Sequence, residues 1–363
     1  MMSRLRVGVI FGGRSGEHEV SLMSAKSVIS ALDPQKYEII PLAIDQSGRW
    51  LLPNEAVKVL DAAVVPKLSV DNPVMESGQL PLVPDPNAKT PFLDVIFPVL
   101  HGPHGEDGTI QGLLELANIA YVGAGVLGSA VSMDKAMMRT VFAQAGLPVV
   151  KWETIIRSHW ERDPNQIIAL IETEIGYPCF VKPANLGSSV GITKARSREQ
   201  LIEAVTLACE FDRRVVVEEA LNRPREIECS VLGNDDPIVS VPGEIIPGNE
   251  FYDYEDKYIN DRSQLVIPAE VTPEQRRLLE ECSIKAFKAV DCAGMARVDF
   301  FITEYQEVII NEINTIPGFT RISMYPKLWE ASGIGYRELL DRLIELALER
   351  HEDRKRRRIS FKP

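Results

Sequence analysis

Residues 295–314 read MARVDFFITEYQEVIINEIN. Two apolar runs flank a short polar segment, the pattern of two strands joined by a turn. A four-residue turn at 304–307 pairs Thr303 with Val308, and so sets Asp299 opposite Glu312 and Arg297 opposite Asn314. Period-two alternation puts those four side chains on one face and sends Asn311 to the other. Two carboxylates directly opposite each other repel, so a cation between them is the natural remedy. Asp, Glu and Asn oxygens suit Mg²⁺, which takes one or two carboxylates and completes its shell with substrate phosphates. Arg297 beside them suits a phosphate or an anionic transition state. The plain alternative is a solvated hairpin face in which the arginine neutralises the acids, but the neighbouring Phe, Ile and Val residues speak against it.

Before this hairpin the chain changes style. LRVGVIFGG (5–13) reads as a buried strand ending in a Gly turn, EVSLMSAKSVISAL (19–32) as a helix and YEIIPLAI (37–44) as a second strand. This βαβ start favours a parallel sheet covered by helices. LDVIFPVLHG (93–102) is a further buried strand, feeding a helix at about 107–118. Residues 52–90 are rich in Pro and lack a period, which marks an insertion. A helix at 133–146 stops at Gly146, with Pro148 beyond it. Later come an extended piece at 149–156, helices at 164–175, 198–209, 273–289 and 335–350, strands at 178–183 and 214–218, and two strands within 224–241. This second half follows no βαβα rhythm and reads as α+β on an antiparallel sheet. Boundaries near 123 and 218 divide the chain into 1–123, 124–217 and 218–363.

Two lysines are placed for anions. VKPANLGSSVG puts Lys182 at a strand end before a Gly/Ser loop whose backbone N–H groups can cradle phosphate. A plain turn is the alternative, and no Walker A spacing occurs. Lys135, in SMDK, starts a helix and reaches either a phosphate or solvent. GAGVLG (123–128) matches the dinucleotide fingerprint letter for letter, but the run before it is short and no acid follows at the required distance. A Gly-rich domain connection is the better account.

The 363 residues hold 40 Lys and Arg against 52 Asp and Glu, a net charge of −12. That balance argues against nucleic acid and acidic membranes as partners. The five Cys form no CxxC pair and sit in apolar runs, as reduced core residues of a cytoplasmic protein do. No apolar run approaches the length of a membrane span or a signal peptide. The basic tail RKRRR (354–358) reads as a solvated end.

Taken together, FGGRSGEHEVSL, HGPHGEDGTIQG, SMDK, VKPANLGSSVGI, FYDYEDKY, MARVDFF and NEINTIPGFT resemble the D-alanine–D-alanine ligases of the ATP-grasp superfamily. The likeness spans the chain apart from the insertion and the tail. It implies a three-domain α/β and α+β ATP-grasp architecture with an N-terminal parallel-sheet domain, two molecules of D-alanine and ATP as substrates, and a homodimer. Asp299, Glu312 and Asn314 would then hold two Mg²⁺ (or Mn²⁺). Lys135, Lys182 and Lys257 would contact ATP phosphates, Glu218, Glu219, Ala220 and Leu221 would form the adenine hinge, and Glu226 would meet the ribose. Glu17 would hold the first substrate's ammonium, with His101 nearby. Arg297 and the Gly318 N–H would form the oxyanion site, and Ser323 and Met324 the pocket for the second carboxylate. Ser188 and Tyr258 would join Glu17 in a polar link that closes loop 247–263. Family members that make D-alanyl-D-lactate lack that tyrosine, so Tyr258 favours an amine nucleophile. Where relatives of a second subtype carry Glu, this chain has Leu186, which implies the other subtype.

Overall fold

The computed structural model describes residues 4–51, 53–60, 93–187, 190–246 and 264–358. Most of the 52–90 insertion, the loop 247–263 and Ser188 lie outside the described residues. Within those described, the strands form three sheets.

The first sheet is parallel, in the order β2-β1-β3-β4, from β1 Leu5–Gly12, β2 Tyr37–Ile44, β3 Val95–Pro98 and β4 Ala120–Tyr121. β1 is buried from Val7 to Gly12, as a central parallel strand covered on both faces must be. Helix α1 (His18–Ala31) packs on it. A short helix α2 (Pro53–Ala56) follows β2, and α3 (Thr109–Leu116) precedes β4. Asp107 accepts the Thr109 N–H at 3.0 Å and so fastens the entry to α3.

The second sheet is antiparallel, β5-β8-β6-β7, from β5 Trp152–Ile156, β6 Cys179–Pro183, β7 Thr193–Ala195 and β8 Arg214–Glu219. The short helix Arg157–Arg162 (α6) and two longer ones, α7 (Pro164–Glu174) and α8 (Arg198–Phe211), cover it. Asp163 caps α7 through the Gln166 N–H, with Pro164 in its first turn, and Ser197 caps α8 through the Gln200 N–H.

The third sheet runs β12-β11-β9-β13-β14, with β10 also on β9. Its strands are β9 Arg225–Gly233, β10 Ile238–Val239, β11 Gly243–Ile246, β12 Gln264–Val266, β13 Gly294–Ile302 and β14 Val308–Asn314. Helix α9 (Pro273–Ala289) starts with a capping box between Thr272 and Gln275 and covers this sheet. Helices α4 (Val126–Met133) and α5 (Lys135–Gln144) precede the second sheet in sequence. Met138 and Phe142 of α5 are nonetheless buried in the core of the third sheet.

α4 was not expected, because it starts inside GAGVLG. The glycines of that run serve packing against the C-terminal part: a side chain on Gly128 would come within 2.6 Å of the Asp291 carbonyl oxygen. Two C-terminal helices, α10 (Met324–Ala331) and α11 (Tyr336–Lys355), return to the first sheet. Phe319, Tyr325, Leu343 and Ile344 share one core with Val7, Val9 and Phe97. Arg350 stacks on Tyr121 at 4.3 Å and donates to the Gly123 and Tyr121 carbonyls. α11 also takes up the start of the basic tail, where Arg354 pairs with Glu115.

Candidate active site

A cleft of about 1200 Å³ lies between the three sheets. One wall is the hairpin β13–β14. The ladder pairs Asp299 with Glu312 and Arg297 with Asn314, as the sequence suggests. Nearer the turn it differs: Ile302 pairs with Val308, so the loop is 303–307, and a bulge between Asp299 and Phe300 restores the register. The extra residue is Asn311, and the broken alternation turns it into the cleft instead of away from it. The pairing continues onto β9, where Glu228 faces Asp299 and Ser230 faces Arg297. Three carboxylates therefore stand abreast on adjacent strands, Glu228, Asp299 and Glu312. Arg297 makes a forked contact with Asp299 at 2.7 Å for each nitrogen, and its Nε lies 3.2 Å from Glu228. Burial alone would lower the Arg297 pKa, but Asp299 and Glu228 push it well above the usual guanidinium value. Asn314 donates to Asp299 at 3.1 Å.

Among the described residues no three His, Cys, Asp or Glu side chains form a metal cage. Asp299, Glu312 and Asn314 instead present a partial oxygen shell, the donor set of a hard divalent cation that draws its remaining ligands from phosphates and water. The residues fit Mg²⁺ or Mn²⁺ on that ground. A cation taking Asp299 would leave Arg297 with Glu228 as its counter-ion.

The opposite wall is cationic. Asp134 caps α5 through the Met137 N–H and so places Lys135 in the first turn. The Lys135 Nζ donates to the Leu186 carbonyl at 2.7 Å, which fastens the Gly/Ser loop. Burial holds its pKa down, and Glu312 across the cleft works against that. Lys182, at the end of β6, pairs with one oxygen of Glu218, while Arg139, one turn beyond Lys135, pairs with the other. Glu218 is 2% exposed. Burial would raise its pKa, but Arg139 and Lys182 bring it below the ordinary carboxylate value. Its carboxylate thus sets Lys182, while Glu219, Ala220, Leu221 and Glu226 line the cleft beyond it. Asn185 ties the loop down through Asp134 and Asp212.

The floor comes from the first sheet. Glu17 stands at the start of α1 but does not cap it. Its carboxylate occupies the space beside two glycines: a Cβ would lie 2.5 Å from it on Gly102 and 2.7 Å on Gly187. Gly102 also has φ +74°, which L side chains rarely adopt. Glu17 therefore lies between the loop after β3 and the Gly/Ser loop. His101 sits below, with Nδ1 3.1 Å from the Ile316 carbonyl and Nε2 3.1 Å from Ser24 Oγ. Burial lowers its pKa and Glu17 opposes this. Glu106 lies next to them, pushed up to about 8 by withdrawal from water and by Glu17.

Gly318 lines the same cleft as Arg297, and a Cβ on it would meet Ser323 Oγ at 2.9 Å. Ser323 heads α10 and accepts the Thr320 N–H at 3.1 Å. Met324 follows it into the cleft. Ser188, Lys257 and Tyr258 lie outside the described residues. Glu228, Arg139 and Glu106 escaped the reading of the sequence. Glu228 shares the alternation of Glu226, and Arg139 falls one helical turn after Lys135, so both left a periodic signal. Glu106 left none.

A cleft with lysines and a glycine loop on one side and paired acids on the other is laid out for a polyphosphate with divalent cations, the arrangement of a ligase of ATP-grasp form. Family comparison agrees. Residues 6–124 match the model described as D-ala D-ala ligase N-terminus, and residues 141–345 the one described as D-ala D-ala ligase C-terminus. A D-alanine--D-alanine ligase from Natranaerobius thermophilus is 49% identical, covering 99% of each chain. Its counterpart in Bacillus cytotoxicus is 48% identical over 98% of this chain and 99% of the other. Among solved structures, the D-alanine-D-alanine ligase from Coxiella burnetii superposes with TM-score 0.80 at 39% identity, covering 97% of this chain and 96% of that one. The VanG D-Ala:D-Ser ligase from Enterococcus faecalis gives TM-score 0.79 at 37% identity, covering 95% and 100%. The chain belongs to the D-alanine–D-alanine ligase family, and it is an enzyme that uses ATP.

Proposed function

We propose that the enzyme joins two molecules of D-alanine through a D-alanyl phosphate, for peptidoglycan precursor synthesis in the cytoplasm. The observation that carries this reading is the Asp299–Glu312 pair with Arg297, facing Lys135 and Lys182 across one cleft.

In this reading the γ-phosphoryl group passes from ATP to the carboxylate of the first D-alanine, giving ADP and an acyl phosphate. The amine of the second D-alanine then attacks that carbonyl, loses a proton and expels phosphate. Lys135, Lys182 and Lys257 hold the phosphates, and Glu219 to Leu221 with Glu226 hold adenine and ribose. Glu218 acts one step back, by fixing Lys182. Asp299, Glu312 and Asn314 would hold two Mg²⁺ (or Mn²⁺), which would offset phosphate charge during transfer. Glu17 receives the first ammonium. Arg297 and the Gly318 N–H stabilise the oxyanion. Ser323 and Met324 receive the second carboxylate, and Ser188 and Tyr258 belong to the closing link. His101, with its ring nitrogens against Ser24 and Ile316, supports the site beside Glu17. The division into 1–123, 124–217 and 218–363 and a homodimer belong to the same proposal. Among the described residues no helix is long and apolar enough to cross a membrane.

Purified enzyme with ATP and Mg²⁺ is to be offered D-alanine, L-alanine, D-serine and D-lactate, with product identification by mass. The expected result is D-alanyl-D-alanine, with one phosphate released per dipeptide. No phosphate release with D-alanine would overturn the reading, and preference for another second substrate would redirect it to a different carboxylate ligase.

A further inference from the structure

On both sides of Gly318 the backbone is held from outside, at Ile316 and at Phe319. Ile316 donates its N–H to Glu106 Oε1 at 3.3 Å, and its carbonyl lies 3.1 Å from His101 Nδ1. Pro317 has no N–H. Phe319 donates its N–H to Ser24 Oγ at 3.3 Å and accepts from the Tyr336 hydroxyl at 2.6 Å. Its ring is fully buried and meets Phe97 edge-on at 5.6 Å. Among the described residues the Gly318 N–H has no partner. It is the donor left over once its neighbours are satisfied.

Most of these anchors come from the first domain. Ser24 belongs to α1, and His101 and Glu106 to the loop after β3. They form one consistent set. His101 Nδ1–H donates to Ile316, the Ser24 hydroxyl donates to Nε2, and Ser24 Oγ receives Phe319. Glu106 has a second bond within its own loop, accepting the Gly102 N–H at 2.7 Å. Gly102 is the residue against which the Glu17 carboxylate rests. One carboxyl group thus joins the backbone beside Glu17 to the backbone beside Gly318.

We propose that Glu106 is a positioning residue: by bridging the Gly102 and Ile316 N–H groups it fixes the Gly318 N–H relative to the first substrate held at Glu17. This rests on the reading of the Gly318 N–H as an oxyanion donor. Its effect falls on the tetrahedral state and not on substrate affinity, because the displaced group is one that meets charge only as it develops.

The test compares wild type with Glu106→Gln and, independently, Ser24→Ala. Gln keeps the volume but offers one acceptor where two amides need one each. Three quantities are measured by calorimetry and steady-state kinetics: affinity for D-alanine, affinity for a phosphinate analogue of the tetrahedral adduct, and kcat. We expect the phosphinate affinity and kcat of Glu106→Gln to fall by about tenfold, the effect of a buried amide left without its acceptor. D-alanine affinity should stay within about twofold of wild type. Ser24→Ala, which acts on the other side of Gly318, should show the same split. Equal losses for both ligands, or no loss for either, would overturn the positioning role. A wild-type enzyme that binds the phosphinate no tighter than D-alanine would instead overturn the oxyanion reading on which it rests.

Discussion

The two walls of the cleft carry opposite charge and are built in opposite ways. On the second-sheet side, Lys182 and Arg139 clasp a single carboxylate, Glu218, with Lys135 held at the Leu186 carbonyl, and Arg139 and Glu218 are withdrawn from solvent. On the hairpin side, Glu228, Asp299 and Glu312 stand around a single cation, Arg297, and that cluster faces the cleft. The first wall has cations to spare and suits a polyanion directly. The second has carboxylates to spare and can approach the same polyanion only through metal ions. A nucleotide triphosphate with divalent cations satisfies both, and neither wall alone specifies it. In the first wall, removing one partner would leave a charge buried and unpaired, whereas the second wall's surplus carboxylates face the cleft.

The largest expected effect comes from weakening the acidic wall. Glu312→Gln should leave the fold intact and lower kcat by about a hundredfold or more at saturating Mg²⁺; near-normal turnover would remove Glu312 from the metal set. Next is the cationic wall. Lys182→Met should raise the KM for ATP by about tenfold through loss of a charge-assisted phosphate contact, with the KM for D-alanine unchanged. A fall in kcat without a change in KM for ATP would show that the lysine is not a ground-state phosphate ligand.

Glu218→Gln tests the claim that this wall is structural beneath its surface. Breaking a buried pair costs about 3 kcal/mol at neutral pH, which chemical denaturation would register. Its folded pKa is depressed, so its contribution is present above the ordinary carboxylate value and is lost as pH falls below it. Thermal melts should therefore show a steady gap between variant and wild type from pH 7 down to the ordinary carboxylate value, and convergence only as pH falls below it. A gap that stays the same below that value would contradict the ion-pair account. The smallest effect belongs to Asn311→Ala, at the bulge: a change in KM for ATP of about threefold or less, since it adds a neutral contact at a rim.

The sequence revealed more of the acidic wall than of any other part, for a physical reason. Strand alternation is strict, so placing one pair placed the whole face. Even so, the four-residue turn was one residue too short, and the Asn311 bulge returned Asp299 to Glu312. A bulge leaves no mark in a period-two pattern, and Asn311 was accordingly assigned to the wrong side. Lys182 was legible from its strand end and Gly/Ser loop, but its partner Glu218 lies 36 positions away in sequence, and no local pattern joins the two. α4 was hidden because a glycine run announces a loop, and the close contact with Asp291 that requires Gly128 is a tertiary fact. The role of Glu106 was out of reach for the same reason: its contact with Ile316 spans the chain.

The opposite charges of the two walls imply one ligand met by both, directly on one side and through metal on the other. Calorimetry with a non-hydrolysable ATP analogue, with and without Mg²⁺, tests this most directly when wild type and Glu312→Gln are measured side by side. Mg²⁺ should tighten binding to wild type by about tenfold or more, Glu312→Gln should lose most of this gain, and their metal-free affinities should agree. An undiminished Mg²⁺ effect in the variant, or equal weakening with and without the metal, would contradict a ligand shared in this way.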